Sequence, residues 1–502
     1  MRKISKILGS LVLVCALLFS TIPATFAENA DVWENDVSVW DGTYPAVDTS
    51  ATYSGGNGSS ESPYLLKSAT DLAQLAVNVN AGEDYSYYHK YFKLCCDIDM
   101  NNQPWVGIGS SAGARTPGTA FKGVFDGDNH VIYNFNLESK PSELGRGFFG
   151  VTFGATVRNL GIASGTIELT DNQAVGSLIG RALQALTLEN CHSGVTIYTT
   201  YTKEHTKYST SSEDDTWTAG GIIGILDGEN KAANIQNCVW YGMAKVMDTP
   251  TTRISLGGIV GMVIRSNLTV QNVNSIGRVL VTETIASKDN RMSAMIGCGR
   301  YYGADASAKN ITFTNCYAGG SYWTSNLDRV GAFCGWNHEV PVNGSNNTYY
   351  GYTKVIGQTS GTLDSTGFAN AEKTETAGLL LGKTMYQTKT VDGSFYVRFL
   401  SEMSGSYREY EQVGFDVTIQ YNGDEAQKTR LTTYSVYSSI LALDETTTPE
   451  TGKYFIATGI SGVPADAGHT VAFTVRPYAI GINGVTIYGE SSTVTFTAGE
   501  QA

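Results

Sequence analysis

A short hydrophobic segment bracketed by small residues and closed by glycine recurs along the middle of the chain. It is GFFG at 147–150, VGSLIG at 175–180, GGIIG at 220–224, GGIVG at 257–261, SAMIG at 293–297 and VGAFCG at 330–335. The closing glycines are 30 to 44 residues apart, a period typical of solenoid repeats with insertions of variable length. We call these six segments the glycine knots.

Most knots are followed by a strand-like run in which hydrophobic and polar residues alternate before an asparagine. These asparagines are Asn159, Asn190, Asn237, Asn272 and Asn315, and the residues after them are Leu160, Cys191, Cys238, Val273 and Cys316. Asparagine tolerates a left-handed corner, and stacked amides can bond one another. The apolar residues that follow predict one inward column, in which cysteine acts as a small buried side chain. The knot glycines predict corners with positive φ or with close backbone approach.

Together the two motifs predict an all-β fold, a parallel β-helix in which each repeat forms one coil. One segment instead has a helical period. Residues 68–82 place Leu72, Leu75 and Val79 on one face, begin with Ser68 in capping position and stop at Gly82. We expect this helix to cap the N-terminal end of the solenoid. After about residue 395, alternating runs with turns between them predict a β-sandwich similar to immunoglobulin or fibronectin type III modules.

The first residues are typical of an export signal. MRKISK is basic, residues 7–19 are apolar, and Thr25-Phe26-Ala27 is a small-x-small cleavage site. The predicted organisation is a signal peptide at 1–27, an N-terminal extension at 28–60, the β-helix at 61–355, a linker at 356–394 and the sandwich at 395–502. We therefore expect a secreted, extracellular protein, which is either released or held at the cell surface, and no membrane insertion of the mature chain.

Charge and cysteine content exclude several classes of protein. The net charge is −13 and no run of Lys or Arg occurs, so nucleic acid and anionic membranes are poor partners. Of the eight cysteines, Cys15 belongs to the predicted signal peptide; the remaining odd number shows neither CxxC pairs nor zinc spacing with histidine. Neither a disulfide framework nor a zinc site is expected.

The order of motifs from residue 38 to about 340 resembles a known family. A helix with DLAQLAVNVNAG precedes YFKLCCDIDM, a W-x-GIG segment, FKGVFDGDNHVI and GFFG with ATVRNLGI. This order is similar to the secreted and cell-surface bacterial proteins that carry GLUG-motif repeats. The resemblance implies a right-handed parallel β-helix and a role in adhesion or display. It brings no catalytic residues with it.

Signatures of enzymes are weak in this sequence. None of the six histidines forms HExxH, and the G-x-S-x-G match at 109–113 is followed by a loop sequence where a nucleophile elbow needs a helix. Paired carboxylates could serve a glycosidase, and the candidates are Asp97, Asp99, Asp126, Asp128 and the acidic trio at 213–215. Asp126 and Asp128 could also bind calcium, although a turn role accounts for both. We expect no cofactor.

Aromatic residues in and around the insertions are the best binding candidates. Flat rings stack on sugar faces while polar neighbours bond hydroxyl groups. The candidates are Tyr198, Tyr201, Trp217, Trp240, Tyr317, Tyr322, Trp323 and Trp336; the alternative is that they pack over coil edges. The sequence thus predicts a non-enzymatic protein that binds a glycan or an extracellular protein such as a host protein. A polysaccharide-degrading lyase or glycosidase and a structural spacer are the alternatives, and the oligomeric state stays open.

Overall fold

Each complete coil of the repeat contributes to four parallel sheets. From Ile179–Glu189 the chain passes to His192–Ser193, then to Thr196–Thr200 and then to Trp217–Gly220, each in a different sheet. We number these sheets II, I, III and IV in that order. The chain then returns to sheet II, where Ile223 lies beside Ile179 in parallel register. This repetition builds a solenoid-like, nearly all-β fold with long parallel sheets, as the sequence predicts.

The computed structural model describes residues 37–497 except 49, 52, 83–86, 111–116, 129, 141–142, 203–215, 248–252, 282–288, 301–309, 325–326, 361, 371–379, 392–393, 405–409, 423–425, 434–435, 439–452, 465–469 and 482–485. The chain divides into a solenoid unit, residues 36–373, and a C-terminal unit that begins at residue 374. The predicted signal peptide lies outside the described residues.

Sheets I and II run the length of the solenoid unit. The strands of sheet I are Val37–Val39, Asp97–Asp99, Val131–Tyr133, Gly161–Ile162, His192–Ser193, Val239–Trp240, Asn274–Ser275, Tyr317–Ala318, Asn347–Tyr349 and Phe368–Asn370. Those of sheet II are Tyr64–Leu66, Tyr91–Leu94, Val124–Asp126, Phe149–Arg158, Ile179–Glu189, Ile223–Asp227, Ala232–Gln236, Val260–Ile264, Asn267–Gln271, Ile296–Arg300, Ile311–Thr314, Cys334–His338, Val342–Ser345 and Ile356–Thr359.

Sheets III and IV have five strands each and belong to the later coils. Sheet III comprises Thr166–Thr170, Thr196–Thr200, Met243–Met247, Arg278–Val281 and Ser321–Trp323. Sheet IV comprises Ala174–Gly176, Trp217–Gly220, Arg253–Gly257, Asp289–Ser293 and Val330–Gly331. Pro104–Trp105 and Asn136–Leu137 form a separate parallel pair, and short 3₁₀ turns occur at Pro117–Thr119 and Ser365–Gly367.

The predicted helix is present as α1, Ala69–Ala81. The Ser68 side chain accepts a hydrogen bond from the backbone N–H of Asp71, and Gly82 ends the helix at φ 133°. Leu72, Leu75 and Val79 are fully buried in the same hydrophobic core as the first strands. Burial of this face explains why the segment is helical among strands, and its role as an N-terminal cap stays a prediction.

The knot glycines are required by close backbone approach. None of the closing glycines has a positive φ, so of the two predicted reasons only close backbone approach applies. A Cβ at Gly261 would lie 2.6 Å from the carbonyl oxygen of Gly224, and one at Gly297 would lie 2.6 Å from that of Gly261. The same contact recurs between Gly335 and Gly297, again at 2.6 Å. The glycines therefore stack on one another from coil to coil, where no side chain fits.

The asparagines occupy left-handed corners, as predicted. Their φ values are 52–54°: Asn159 53°, Asn190 52°, Asn237 53°, Asn272 54° and Asn315 53°. Their side chains form a ladder in which Asn272 Nδ2 donates to Asn237 Oδ1 at 3.0 Å and Asn315 Nδ2 donates to Asn272 Oδ1 at 3.3 Å. The residues after them, Leu160, Cys191, Cys238, Val273 and Cys316, are at most 1% exposed and form the predicted inward column.

Replacing Asn272 by alanine is expected to destabilise the solenoid by about 1–3 kcal/mol, because alanine tolerates a positive φ less well than asparagine and two amide hydrogen bonds are lost. Asn272→Gly should retain more stability, since glycine adopts this φ without strain. Urea denaturation of the two variants measures the free energy of unfolding lost through backbone strain and through the missing hydrogen bonds. Equal stability of the alanine variant and the wild type would contradict the role of the corner.

The domain boundaries differ from the prediction at both ends of the solenoid. Val37–Val39 pairs with Asp97–Asp99, and Trp40 is 2% exposed in the core, so part of the predicted 28–60 extension is a strand of the solenoid. Ile356–Thr359 and Phe368–Asn370 continue sheets II and I, so the solenoid extends past residue 355 into the predicted linker. Leu380–Val391, also within that linker, already belongs to the C-terminal unit.

The C-terminal unit consists of two antiparallel sheets. One contains Leu380–Val391, Ser394–Ser404, Val436–Ser438 and Lys453–Pro464; the other contains Tyr410–Tyr421, Gln427–Thr433, Thr470–Gly481, Thr486–Tyr488 and Ser492–Thr497. The ring of Phe399 in the first sheet lies 6.1 Å from that of Phe415 and 5.8 Å from that of Phe473 in the second. These aromatic contacts join the inner faces of the two sheets.

Candidate functional site

The solenoid buries half of the aromatic residues that the sequence offers as binding candidates. Tyr201 and Trp240 are fully buried, Tyr317 is 3% exposed and Trp217 is 4% exposed. A ring in this environment cannot stack on a sugar, so the structure corrects the expectation of exposed rings at these four positions. The physical reason is that each ring fills a space inside or against the coils that smaller neighbours leave open.

Glycines create the space for two of these rings. A Cβ at Gly258 or Gly277 would lie 2.7 or 2.8 Å from Trp240 Cε3, and a Cβ at Gly319 would lie 2.8 Å from the hydroxyl oxygen of Tyr317. Tyr201 and Trp217 lie on either side of residues 203–215, and their rings stack at 4.5 Å. The predicted insertion at 203–215 itself lies outside the described residues, including the acidic trio at 213–215.

Tyr322 belongs to the end of the solenoid core. It is paired in register with the buried Val279 of the preceding coil, and its ring stacks on that of Tyr352 at 4.7 Å. Tyr352 is 3% exposed and part of the main hydrophobic core. Tyr322 is therefore a packing residue of the last strand of sheet III, while its neighbour Trp323 points to the opposite side of the strand.

Tyr198 and Trp323 come together in one outward column of sheet III. The register pairs Glu168 with Tyr198, Tyr198 with Lys245, Lys245 with Leu280 and Leu280 with Trp323. Residues between these positions, such as Ile197 and Val279, point into the core and are fully buried. Tyr198 is half-buried and Trp323 is 41% exposed. We call this surface of sheet III the outer face.

The outer face presents rings and polar groups at a regular spacing. Neighbouring strands of a sheet are about 4.8 Å apart, so Tyr198 and Trp323, three strands apart, are separated by roughly 14 Å. A second outward column, with Thr196, Met243 and Arg278, flanks the first. A flat surface that combines aromatic, hydroxyl and cationic side chains can stack on apolar sugar faces and bond their hydroxyl groups.

Sequence reasoning missed Lys245, Leu280 and Arg278 as parts of this surface. The signal was present: Tyr198, Lys245, Leu280 and Trp323 each come eight residues after a corner asparagine, namely Asn190, Asn237, Asn272 and Asn315. Equal distance from equivalent corners places residues in one column. Tyr201, Trp217, Trp240, Tyr317 and Tyr322 fail this criterion and are buried or packed against the core, while Trp336 is half-buried against a separate small apolar cluster.

The carboxylates considered for catalysis or calcium binding hold the early coils together. Asp97 is fully buried and accepts a hydrogen bond from the backbone of Val131 at 3.0 Å, with His130 Nδ1 3.1 Å from the same oxygen. Asp99 accepts from Asn134 Nδ2 at 2.8 Å. These bonds link one coil to the next.

Asp126 and Asp128 lie at the predicted turn and are engaged in ion pairs. Asp126 accepts from Arg158 Nε at 2.8 Å and from Asn159 Nδ2 at 2.9 Å, which begins the asparagine ladder. Asp128 lies 2.8 Å from Lys93 Nζ. Among the described residues, no group of three or more His, Cys, Asp or Glu side chains could hold a metal ion.

The cysteines behave as apolar core residues. None of the seven in the solenoid forms a disulfide, and all except the half-buried Cys95 are buried. Burial raises the pKa of the Cys191 and Cys298 thiols, so both stay protonated at neutral pH. This agrees with the prediction that the cysteines after the corner asparagines act as small buried side chains.

His192 should make the solenoid sensitive to acid. Its ring covers Gly161, its Nδ1 lies 3.1 Å from the Tyr241 hydroxyl, and burial lowers its pKa from 6.5 to about 4. Between those values the unfolded chain binds a proton that the folded site does not. The contribution of neutral His192 to the free energy of unfolding is therefore fully present above pH 6.5. It is lost, by up to about 3 kcal/mol, as the pH drops toward 4.

The measurement is the free energy of unfolding from pH 7 to pH 4 for the wild type and a His192→Phe variant. Because the same carboxylates titrate in both proteins, subtracting one curve from the other leaves the contribution of His192. The wild type should lose more stability than the variant, and parallel curves would contradict the assignment.

No protein-family model matches the chain. A stretch of 235 residues, 45% of the chain, is 27% identical to Halomucin of Haloquadratum walsbyi and covers 2% of that protein. The chain thus spans a small fraction of this relative, and the similarity does not assign it to a family. Within the described residues, no helix has the length and apolar character needed to cross a bilayer.

Proposed function

We propose that this chain is a secreted, non-enzymatic binding protein that attaches to a glycan through the outer face of sheet III. The observation that carries the proposal is the column in which Tyr198 and Trp323 share one register position with Lys245 and Leu280 between them. Trp323 is the most exposed of the described tryptophans, at 41%. In the free protein the hydration of an exposed aromatic ring is unfavourable, and a sugar stacked on the ring would remove it from water.

The shape of the surface favours an extended ligand. A column that repeats once per coil presents similar contacts over roughly 14 Å, which suits a chain of linked sugars more than a single small molecule. Threonine, lysine and arginine beside the rings supply donors and acceptors for hydroxyl groups. An extracellular protein is the alternative ligand for the same surface, and its rings would then act as interface anchors.

Several broader features belong to the same proposal. The signal-like first residues support export, and the motif order supports a right-handed β-helix of the GLUG-repeat type that displays this surface. The C-terminal unit would serve as a sandwich-type spacer or docking module. Similarity to a segment that makes up 2% of Halomucin supports a module used within much longer chains.

The test is retention of the full purified chain on insoluble polysaccharides and mucin, with reducing ends and unsaturated uronates measured in the same tubes. We expect retention without product. Steady release of product would instead favour a lyase or glycosidase on the same scaffold. Absence of both retention and product would leave the structural spacer as the function.

A further inference from the structure

A second outward surface of the solenoid lies on the strands of sheet II that precede the corner asparagines. One outward column on this surface runs in register through six strands. Its members are Thr156, Thr187, Asn234, Thr269, Thr312 and Asn343. Because neighbouring strands are about 4.8 Å apart, the column is roughly 24 Å long.

A second column lies two residues further along each strand, about 7 Å from the first. In the four later strands it consists of Gln236, Gln271, Thr314 and Ser345. No member of either column is charged in these strands, although the protein has a net charge of −13. We call the outward side chains of Asn234, Gln236, Thr269, Gln271, Thr312, Thr314, Asn343 and Ser345 the polar face.

The hydrophobic residues between these positions determine which side of the strands faces solvent. Ile235 is fully buried and Val270 is 1% exposed, and both belong to the main hydrophobic core. Since successive side chains on a strand point to opposite sides, the polar residues beside them point outward. Asn234, Thr269 and Gln271 are exposed. The polar face is therefore accessible to a ligand from solvent.

The protein leaves most of the hydrogen-bonding groups of the polar face unused. Ser345 Oγ donates to Thr314 Oγ1 at 3.4 Å. Five of the other side chains form no hydrogen bond or ion pair with the part of the chain that the structure describes, namely those of Asn234, Gln236, Thr269, Gln271 and Thr312. Their hydroxyl and amide groups can both donate and accept hydrogen bonds. The corner asparagines next to them differ, because their amides bond to one another.

We propose that the polar face binds a neutral polysaccharide, whose hydroxyl groups bond to the threonine hydroxyls and to the asparagine and glutamine amides. A sugar hydroxyl both donates and accepts hydrogen bonds, as these side chains do. The same kinds of group recur once per coil, which favours a ligand that also repeats along its length. The absence of charge favours a neutral chain, because an acidic one would be repelled by the net charge of the protein and would find no cation on this face.

The polar face is distinct from the outer face of sheet III. After Gln236 the chain turns at Asn237 and forms Val239–Trp240 of sheet I before it reaches Met243–Met247 of sheet III. The chemistry also differs, since the outer face offers aromatic rings and cations whereas the polar face offers only hydrogen bonds. The inference rests on the proposed function in taking the ligand to be a glycan, but it adds a second binding surface and the neutral class of its ligand.

The test measures retention of the full purified chain on microcrystalline cellulose and on chitin, which are both uncharged and insoluble. We expect retention on at least one of the two matrices. The double variant Thr269→Val/Thr312→Val removes two neighbouring hydroxyl groups but keeps the shape of both side chains. It should bind the retaining matrix about tenfold more weakly, the effect of two lost hydrogen bonds. Raising sodium chloride should leave this ratio unchanged, because no ion pair is involved.

Two controls accompany the valine variant. Thr269→Ser/Thr312→Ser keeps both hydroxyl groups and should retain most of the binding. Thr495→Val makes the same change at an exposed strand position of the C-terminal unit and should bind like the wild type. Melting curves of each variant establish that the fold is retained.

Absence of retention on both cellulose and chitin would overturn this inference, and so would retention that Thr269→Val/Thr312→Val leaves unchanged. Equal losses in the valine and serine variants would also overturn it, because the hydroxyl groups would then not be the binding groups. A dimer in sedimentation that the valine variant dissociates, without retention on either matrix, would instead assign the face to a second copy of this chain.

The proposed function is distinguished from this inference by the Tyr198→Ala/Trp323→Ala variant and by mucin. Retention that falls only in that variant supports the outer face and refutes the polar face. Retention that falls only in Thr269→Val/Thr312→Val supports the polar face and refutes the outer face. Retention on mucin without retention on cellulose or chitin leaves the proposed function standing and the polar face refuted.

Discussion

Replacing Trp240 by alanine is expected to lower the free energy of unfolding of the solenoid by about 3–5 kcal/mol, the cost of deleting a large buried aromatic side chain. Trp240 is fully buried, and its ring occupies space next to Gly258 and Gly277 of the following coil. Removal of the ring leaves a cavity that the stacked backbones cannot close, because they are held by hydrogen bonds on both sides. Urea denaturation followed by circular dichroism measures the loss.

Trp323→Ala is the matched control for this prediction. It removes the same side chain from the same unit, but from a position that is 41% exposed, and should change stability by no more than about 0.5 kcal/mol. Membership of an aromatic pair does not distinguish the two tryptophans, whereas their distances from the preceding corner asparagine do. Similar losses in both variants would contradict the assignment of Trp240 to the core and of Trp323 to the surface.

Replacing Gly261 by valine should destabilise the solenoid by about 3 kcal/mol or more, and Gly261→Ala should show a smaller loss in the same direction. A Cβ here would lie 2.6 Å from the carbonyl oxygen of Gly224 and 2.7 Å from that of Ala219. Both are backbone atoms of the preceding coil, so relief requires that the coils move apart. Such a movement would break the backbone hydrogen bonds between the two coils.

Gly299→Ala is the control for the glycine prediction. Gly299 is also buried in sheet II, but its nearest contact is Ile311 Cδ1 at 3.0 Å, the end of a side chain that can shift. The alanine variant at 299 should therefore retain more stability than the alanine variant at 261. The reverse order in thermal melts would contradict the explanation by backbone stacking.

The periodic features of the fold were predictable because each rests on local chemistry. Asn272 adopts φ 54°, as expected for the residue type that best tolerates a left-handed corner apart from glycine. Ser68 and Gly82 bound the helix where capping rules place its ends. The last coil was missed because Phe368–Asn370 follows no corner asparagine, and because Val355-Ile356-Gly357 follows Lys354 where the six glycine knots have a small residue.

The outer face was harder to predict, since exposure depends on the register between coils. Neighbours on a strand point to opposite sides, which separates Tyr322 in the core from Trp323 on the outer face. The contacts of Arg291 and Arg329 with the Trp336 ring were missed for a related reason. The two arginines are far apart along the chain, and only their alignment in successive coils brings them to the same ring.

The most direct measurement for the central claim is retention of the Tyr198→Ala/Trp323→Ala double variant on the insoluble glycan that retains the wild type. Both side chains lie on the outer face, so the fold should be preserved and retention should fall at least about tenfold, as expected when two stacking contacts are lost. Tyr88→Ala, which removes a 60% exposed ring outside sheet III, is the matched control and should bind like the wild type. Full retention of the double variant would contradict the assignment of glycan binding to this surface.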